Sequence, residues 1–272
     1  MLFSTYNIHY GVGADGAYDV ARIADAVAEA DIVCIQETVR GWPQNGYADQ
    51  TAEIGRRLNR YFRFHGPMEA DASTVEADGR IVNRRRSFGN AIVSRWPIAW
   101  SRGVMLPKTR MTDRFDLQRG YIEAVVMAPG GPLRIYCTHL SHVGSQQRLP
   151  QVEALLVAVN GAATTGATWD ATGPQTFMFQ EATLAVPASA IVAGDFNFTP
   201  GHAEYPLVAA AGLADAWRAA GNSEEEVDSF PREGRIDHVF VTPDLAPRVK
   251  RAWIDYASNG SDHWPVFVEF LL

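Results

Sequence analysis

The sequence predicts an α/β protein in which strands and helices share a core and polar side chains collect where strands end. Short apolar runs of strand length, such as Asp31 to Ile35 (DIVCI), alternate with segments of helical period, such as Asp19 to Ala30. The strand-like runs also end in carboxylates, amides or imidazoles, most plainly in IVAGDFNFTP from Ile191 to Pro200. There the apolar run Ile191-Val192-Ala193 gives way at Gly194, and Asp195 and Asn197 flank Phe196. In extended geometry those two polar side chains point to one side and the phenyl to the other. Taken alone, the same residues also read as a turn, since Gly, Asp, Asn and Pro all favour one.

Composition sets the bounds. The chain has 272 residues, 47% of them hydrophobic and 20% charged, which supplies ample apolar material for a core. That length fits one large domain or two small ones. No internal repeat, long linker or composition break argues for two, so residues 1–272 read as one domain with an insertion at 160–189. Net charge is −7 at pH 7, so there is no global basic field for gripping a polyanion, although a local basic face could suffice. Cys34 and Cys137 both lie inside apolar runs and read as buried free thiols. No apolar stretch is long enough to span a bilayer and no signal peptide is visible, which makes a cytoplasmic location the default expectation.

In chain order, Leu2 to Ile8 reads as a strand delivering Asn7 and His9 into the Gly-rich loop HYGVGADG. Asp19 to Ala30 reads as a helix capped by Asp19, and Asp31 to Ile35 as a strand ending at Gln36-Glu37. Asp49 to Tyr61 is a second capped helix, followed by the strand Tyr61 to His65. The polar stretch Glu69 to Arg86 reads as a solvated loop; the alternative is a cationic patch, Arg84-Arg85-Arg86, for a phosphate-bearing substrate. Phe88 to Ser94, Ile98 to Met105, Arg119 to Met127 and Leu133 to Thr138 are strands, the last two joined by a Pro-Gly-Gly-Pro hairpin signal. Gln146 to Val159 is a helix with Pro150 near its first turn. Asn160 to Ser189, longer than a connection there needs, reads as the insertion, a lid or an interface element. Beyond it, Ala203 to Ala211 is helical, and Arg235 to Val241, Val249 to Tyr256 and Val266 to Leu271 are strands.

Together the strand ends carry Asn7, Glu37, Asn90, His139, Asp195, Asn197, Asp237, Asp262 and His263. Each alone reads as a turn residue, a cap or a satisfied core polar group. As a set they exceed what turns need, and sheets gather their active groups along one edge. Oxygen donors such as Asn7 and Glu37, without thiolates, suit Mg²⁺ or Mn²⁺ over Zn²⁺. Histidines beside such an ion can donate to a phosphoryl oxygen, and a carboxylate such as Asp195 can take a proton from water. The combination describes metal-assisted hydrolysis of a phosphoester.

Seven segments then carry a likeness: TYNIH (Thr5 to His9), IQE (Ile35 to Glu37), FGNAIVSRWPI (Phe88 to Ile98), THL (Thr138 to Leu140), GDFN (Gly194 to Asn197), RIDHVFV (Arg235 to Val241) and SDHWPV (Ser261 to Val266). In these the sequence resembles the endonuclease/exonuclease/phosphatase superfamily, which includes DNase I-like nucleases, sphingomyelinases and inositol polyphosphate 5-phosphatases. The resemblance implies a four-layered α/β sandwich, two mostly antiparallel sheets packed face to face with helices outside. It implies that Asn7 and Glu37 hold a catalytic metal with Asp262 beside them. His139 and His263 would contact the scissile phosphate, Asp237 would orient His263, Asp195 would activate water, and Asn197 would hold that water or a phosphate oxygen. Asn90 would serve the site from the structural or substrate side. Two departures stand out: Gln118 replaces a Glu that several relatives carry before the Arg-Gly pair, and the acid that the DNase I-like branch pairs with its first catalytic His has no clear match.

The expected activity is thus Mg²⁺-dependent hydrolysis of a phosphodiester or phosphomonoester other than duplex DNA. A nuclease is the alternative, and a non-catalytic binding module on the same fold is the second. Arg84 and Arg95 are the candidate substrate-binding cations. Trp42, Trp96 and Phe177-Met178-Phe179 are candidate lipid-interface residues, though buried packing is the favoured use of each. The substrate class stays open among small molecule, lipid headgroup and nucleic acid, and no protein partner is expected.

Overall fold

Near-continuous burial along the central strands means that both of their faces are covered. The computed structural model describes residues 1–170, 183–224 and 227–271. Its strands are β1 (Leu2–Asn7), β2 (Ile32–Arg40), β3 (Tyr61–Asp71), β4 (Thr74–Val75), β5 (Ile81–Val82), β6 (Arg85–Ser94), β7 (Ile98–Met105), β8 (Gly120–Ala128), β9 (Gly131–His139), β10 (Ala190–Asp195), β11 (Ala214–Asp215), β12 (Asp237–Val241), β13 (Val249–Ile254) and β14 (Val266–Phe270). Its helices are α1 (Val20–Ala26), α2 (Gln50–Arg57), α3 (Ser145–Asn160), α4 (Ala162–Thr165), α5 (Glu204–Ala210) and α6 (Ala216–Ala219).

One six-stranded sheet runs β13-β14-β1-β2-β6-β3 and the other β11-β12-β10-β9-β8-β7. Only β1–β2 and β9–β10 pair in parallel; every other described pairing is antiparallel. Phe3, Ile32, Cys34 and Ile92 of the first sheet meet Ile122, Ile135, Cys137, Ile191 and Val239 of the second in a common core. Burying each such large aliphatic or aromatic side chain is worth about 1.5–3 kcal/mol, so this seam holds the sheets together. The opposite faces are covered by helices: α1 and α2 pack Val20, Ile23 and Ile54 onto Tyr6, Val33 and Ile35. Helices α3 and α5 pack Val152, Leu155 and Val208 onto Tyr136, Val192 and Phe240. The result is the four-layered sandwich, helix, sheet, sheet, helix.

Local signals behave as their chemistry dictates. Asp19 caps α1 by accepting from the Ala21 and Arg22 amides, and Asp49 caps α2 by accepting from Ala52. Both helices stop short of the expected ends, at Ala26 and Arg57, because the chain turns there to enter the next strand. Pro150 lies inside α3, beyond its first turn, where it deprives the Gln146 carbonyl of its helical partner. The Glu69 to Arg86 stretch is not a loop: it finishes β3, forms the β4–β5 hairpin and opens β6. The β3–β6 ladder holds this arm, and a cross-strand ion pair adds to it, with Arg85 Nε 2.9 Å from Glu69 Oε1. Both cysteines are free and buried.

The insertion is described only in part. Phe177, Met178 and Phe179 fall outside the described residues. On either side, Leu184, Ala185 and Ala167 pack on Trp100 and Val125, and Trp100 Nε1 donates to the Ala185 carbonyl at 2.8 Å. Those flanks cover the outer face of the β7–β8 edge. Among the described residues no helix is long and apolar enough to cross a membrane.

Candidate active site

The two parallel pairs aim the ends of four central strands at one edge of the sandwich. Register places Asn7 beside Gln36 on β1–β2, and Asp195 beside His139 on β9–β10. The antiparallel pair β10–β12 sets Asp237 opposite Asp195. The loop before β14 supplies Ser261, Asp262 and His263, and Ser261 Oγ ties it to β1 by donating to the Asn7 carbonyl at 2.8 Å.

Glu37 reaches this edge by an irregularity. Strand β2 does not end at Gln36-Glu37 but continues to Arg40 through a register shift between Ile35 and Thr38. Gln36 and Glu37 together face the single residue Asn90 of β6, which is the geometry of a bulge. Glu37 sits at φ 60°, in the left-handed region that non-glycine residues avoid. The extra residue slips the alternation by one, so Glu37 falls on the same side of the sheet as Asn7. A left-handed Glu stores on the order of 1–3 kcal/mol, and the surrounding pairing must hold it there.

The groups so gathered are in contact. Asn7 Nδ2 donates to Asp195 Oδ2 at 2.9 Å and to Glu37 Oε1 at 3.4 Å. His139 Nε2 lies 3.3 Å from Asp195 Oδ2, and its Nδ1 lies 4.0 Å from Glu37 Oε1. His263 Nδ1 is 2.9 Å from Asp237 Oδ2, and its Nε2 is 3.8 Å from Asp195 Oδ2. Asp195, Asp237 and His263 offer ligand atoms within 4.8 Å of one another, a buried set that could hold a metal ion. Three polar atoms here are buried without a partner: Glu37 Oε2, Asp237 Oδ1 and His139 Nδ1. Native interiors rarely leave such atoms unpaired, so these three are open to an ion, a water or a ligand.

Charge is divided unevenly among them. Burial alone would pull the His263 imidazolium down, but the charge and hydrogen bond of Asp237, with Asp195 and Asp262, push it up to about 10. His139 goes the other way: burial, with Arg119 and His263 nearby, pulls it well below its usual range, so it is neutral. Burial and the charge of Asp237 push the Asp195 carboxyl up to about 7, against His263 and the Asn7 amide. Burial also raises Glu37, against Arg119 and His263.

The remaining expected residues fall into three groups. Asp262 borders the cluster, with Oδ2 3.8 Å from His9 Nδ1. Asn197 does not continue the strand: β10 ends at Asp195 and Asn197 turns to φ 53°. Its amide N–H donates to Asp195 Oδ1 at 2.9 Å, and its side chain donates to the Leu140 carbonyl at 3.1 Å. The expectation that Asp195 and Asn197 share one strand face is therefore corrected by this turn. Asn90 bridges the sheets, donating to the Gly120 carbonyl at 2.9 Å.

Arg84 and Arg95 are not part of the cluster. Arg95 pairs with Asp31 at 2.8 Å, at the start of β2 and thus at the opposite end of that strand from Glu37. Arg84 sits on the hairpin arm, its guanidinium 4.5 Å from the Tyr47 ring centroid and its Nη1 donating to Thr74. Sequence reasoning instead missed Arg119. The β8–β9 hairpin sets Gly120 opposite His139, so the residue before it, buried Arg119, lies beside the cluster and bonds His142 Nδ1 at 3.1 Å. The hairpin was readable from its Pro-Gly-Gly-Pro turn; its register, which locates Arg119, was not.

Fold and site together define a class. The Endonuclease/Exonuclease/phosphatase family matches residues 4–263, and the chain belongs to that family. Solved structures agree on the fold. An endonuclease/exonuclease/phosphatase from Beutenbergia cavernae superposes with a TM-score of 0.69 at 24% identity, covering 98% of this chain and 70% of that one. The mannosyl-6-phosphatase of Bacteroides thetaiotaomicron superposes at 0.63 with 20% identity, covering 100% of both chains. A humanized D. rerio TDP2 superposes at 0.58 with 17% identity, covering 98% of this chain and 97% of that one. No curated protein matches the sequence.

Proposed function

We propose that this chain is a divalent-metal-dependent hydrolase of phosphoester bonds, with Mg²⁺ or Mn²⁺ as its ion, formed as one domain over residues 1–272. The observation that carries the reading is the contact cluster of Asn7, Glu37, His139, Asp195, Asp237 and His263 at one edge of the sandwich. Its members come from five strands and a loop, and no turn or cap requires them to meet.

The ion fits best at Glu37, with Asn7 and Asp262 as the further oxygen groups. Glu37 Oε2 is a buried carboxylate oxygen with no partner, and hard divalent cations take oxygen donors. The Asp195, Asp237, His263 set suits an ion less well, because a His263 held protonated by Asp237 has no lone pair to give. When bound, a divalent ion neutralises phosphoryl oxygens and lowers the pKa of water. The protein's own groups do the rest. His263, fixed and charged by Asp237, donates from Nε2 to a phosphoryl oxygen as charge builds there. Neutral His139 offers a second hydrogen bond. Asp195, with a carboxyl near neutrality and oriented by the Asn197 amide, takes the proton of the water that attacks in line with the leaving group. Arg119 counters the acidic cluster from beneath.

The test is hydrolysis of bis-p-nitrophenyl phosphate and p-nitrophenyl phosphate with Mg²⁺, Mn²⁺ or EDTA. Metal-dependent release should fall by about 10²–10⁴-fold in His263→Ala. Mg²⁺ should raise the melting temperature of the wild type but not of Glu37→Gln, which in EDTA should melt at or above the wild type. That last expectation follows because burial outweighs Arg119 and His263 and raises the Glu37 carboxyl, so its charge is held in the fold at a cost. No hydrolysis across nucleic acid, lipid and nucleotide substrates, with no metal-induced shift, would hand the chain to the binding-module reading.

A further inference from the structure

An apolar cleft of about 630 Å³ opens beside the cluster, within the size range of small-molecule sites. Its lining includes Tyr10, Tyr18, Trp42, Phe88 and Phe115. The cleft is continuous with the candidate site. The Phe88 ring lies 6.3 Å, centroid to centroid, from His139 and 5.9 Å from Tyr10. Tyr10 in turn stands at 4.9 Å from His9, and burial and the neighbouring Glu37 carboxylate push its hydroxyl up to about 12. A group placed in the cleft is therefore one ring away from the atoms assigned to the phosphate.

The walls are preorganised. Trp42 Nε1 donates to the Ser87 carbonyl at 2.8 Å, and the Arg86 guanidinium covers its ring at 5.2 Å from the centroid. Tyr10, Tyr18 and Phe115 are nonetheless 43%, 46% and 73% exposed, so apolar rings face solvent around a concave surface. Such a surface next to a reactive cluster marks a binding site. Its polar content is sparse: apart from the Tyr10 and Tyr18 hydroxyls, Gln44 and Asn45 are the polar side chains of the lining. A sugar or inositol ring would set its hydroxyls against a mostly apolar lining, at about 1–3 kcal/mol for each one buried without a partner. A nucleic-acid strand or polyphosphate would meet no Lys or Arg in the lining.

Resting on the hydrolase reading above, we infer that the cleft receives an aryl group of the phosphoester substrate, its ring seated among Tyr10, Trp42 and Phe88. Aromatic walls favour a flat ring through offset and edge-to-face contacts. The phosphorus then sits at the Asn7, Glu37 and His139 edge. The substrate class is an aryl phosphoester rather than a polyol phosphate or a polyanion.

The test is calorimetric binding of 1-naphthyl phosphate and methyl phosphate to the wild-type protein in EDTA, where the hydrolase reading allows no turnover. Burial of the naphthyl ring should make its ester bind at least about tenfold more tightly. Val12 also lines the cleft; Val12→Trp, which fills it, should bring that ratio to about one by this bookkeeping, and Phe115→Ala, at the exposed rim, should lower it. Equal affinities in the wild type, or a ratio that neither substitution moves, would overturn the inference. So would cosedimentation with phosphatidylcholine vesicles, or self-association, that Phe115→Ala abolishes while the ratio is unaffected. Tight naphthyl binding without hydrolysis of any ester would sink the hydrolase reading and leave the cleft. Metal-dependent hydrolysis without naphthyl preference would do the reverse.

Discussion

Asp237 and His263 show how a buried pair ties function to stability. In an unfolded chain the imidazole titrates near ~6.5, whereas in the fold Asp237 holds it protonated to about 10. Between those values the native state keeps a proton that the unfolded state has released. The contribution is therefore full below about pH 6.5 and is lost as pH rises through about 10. Asp195, raised to about 7, acts with the same sign at lower pH. The unfolding free energy of the metal-free protein should fall from pH 6 to 10 by roughly a few kcal/mol, and Asp237→Asn should flatten that slope. Urea titrations at a series of pH values would check it; parallel slopes in both proteins would show that Asp237 does not hold the proton. Histidine and acid were legible here as residue types near Asp262 and in RIDHV. Their 2.9 Å contact was not, since 26 residues separate them in the chain.

At the scale of elements, the site depends on how closely β10 can lie against β9. Gly194 stands one residue before Asp195 at φ 148°, and a Cβ there would meet the Thr138 carbonyl oxygen at 1.9 Å. Backbone atoms cannot swing aside as a side chain can. Gly194→Ala should cost about 3 kcal/mol or more by denaturant unfolding, and the surviving folded protein should lose activity because Asp195 and His139 are pushed apart. A loss under about 1 kcal/mol would show that the two strands can separate freely. The strands and helices themselves were legible from period and capping: Asp19 and Asp49 cap the helices they were expected to cap. The errors fell where local pattern carries no information. The arm from Glu69 to Arg86 looks solvated because it is polar, and it is still strand because its backbone pairs with partners distant in the chain, Glu69 with Ser87 and Asp71 with Arg85. The bulge that turns Glu37 inward leaves no mark in a single sequence.

Across the whole molecule, the two sheets share one seam, and Cys34 from β2 and Cys137 from β9 both lie in it. Burial, with Cys137 adjacent, raises the Cys34 thiol well above its usual range. Neither thiol should react with Ellman's reagent in the native protein, and both should react together at the rate of global unfolding. Fast labelling of one thiol alone would mean that the sheets part locally without unfolding. The acidic cluster lies at one end of the same two sheets. The charges sit where the apolar packing ends, compensated by Arg119 and His263.

The sequence by itself determined the fold class, the family resemblance and the identity of the polar groups at the strand ends. Each of these is written in local pattern or in short motifs, and local pattern survives in one dimension. Only the tertiary structure decided which of those groups meet. Arg95, paired with Asp31 at the start of β2, and Glu37, in the bulge further along that strand, stand at opposite ends of it. Arg119, unremarkable in the chain, is brought beside His139 by a hairpin register. The aromatic cleft draws Tyr10, Trp42, Phe88 and Phe115 from four separate segments. Register, bulges and the packing of one sheet on another are set by long-range contacts, whose partners no stretch of sequence names.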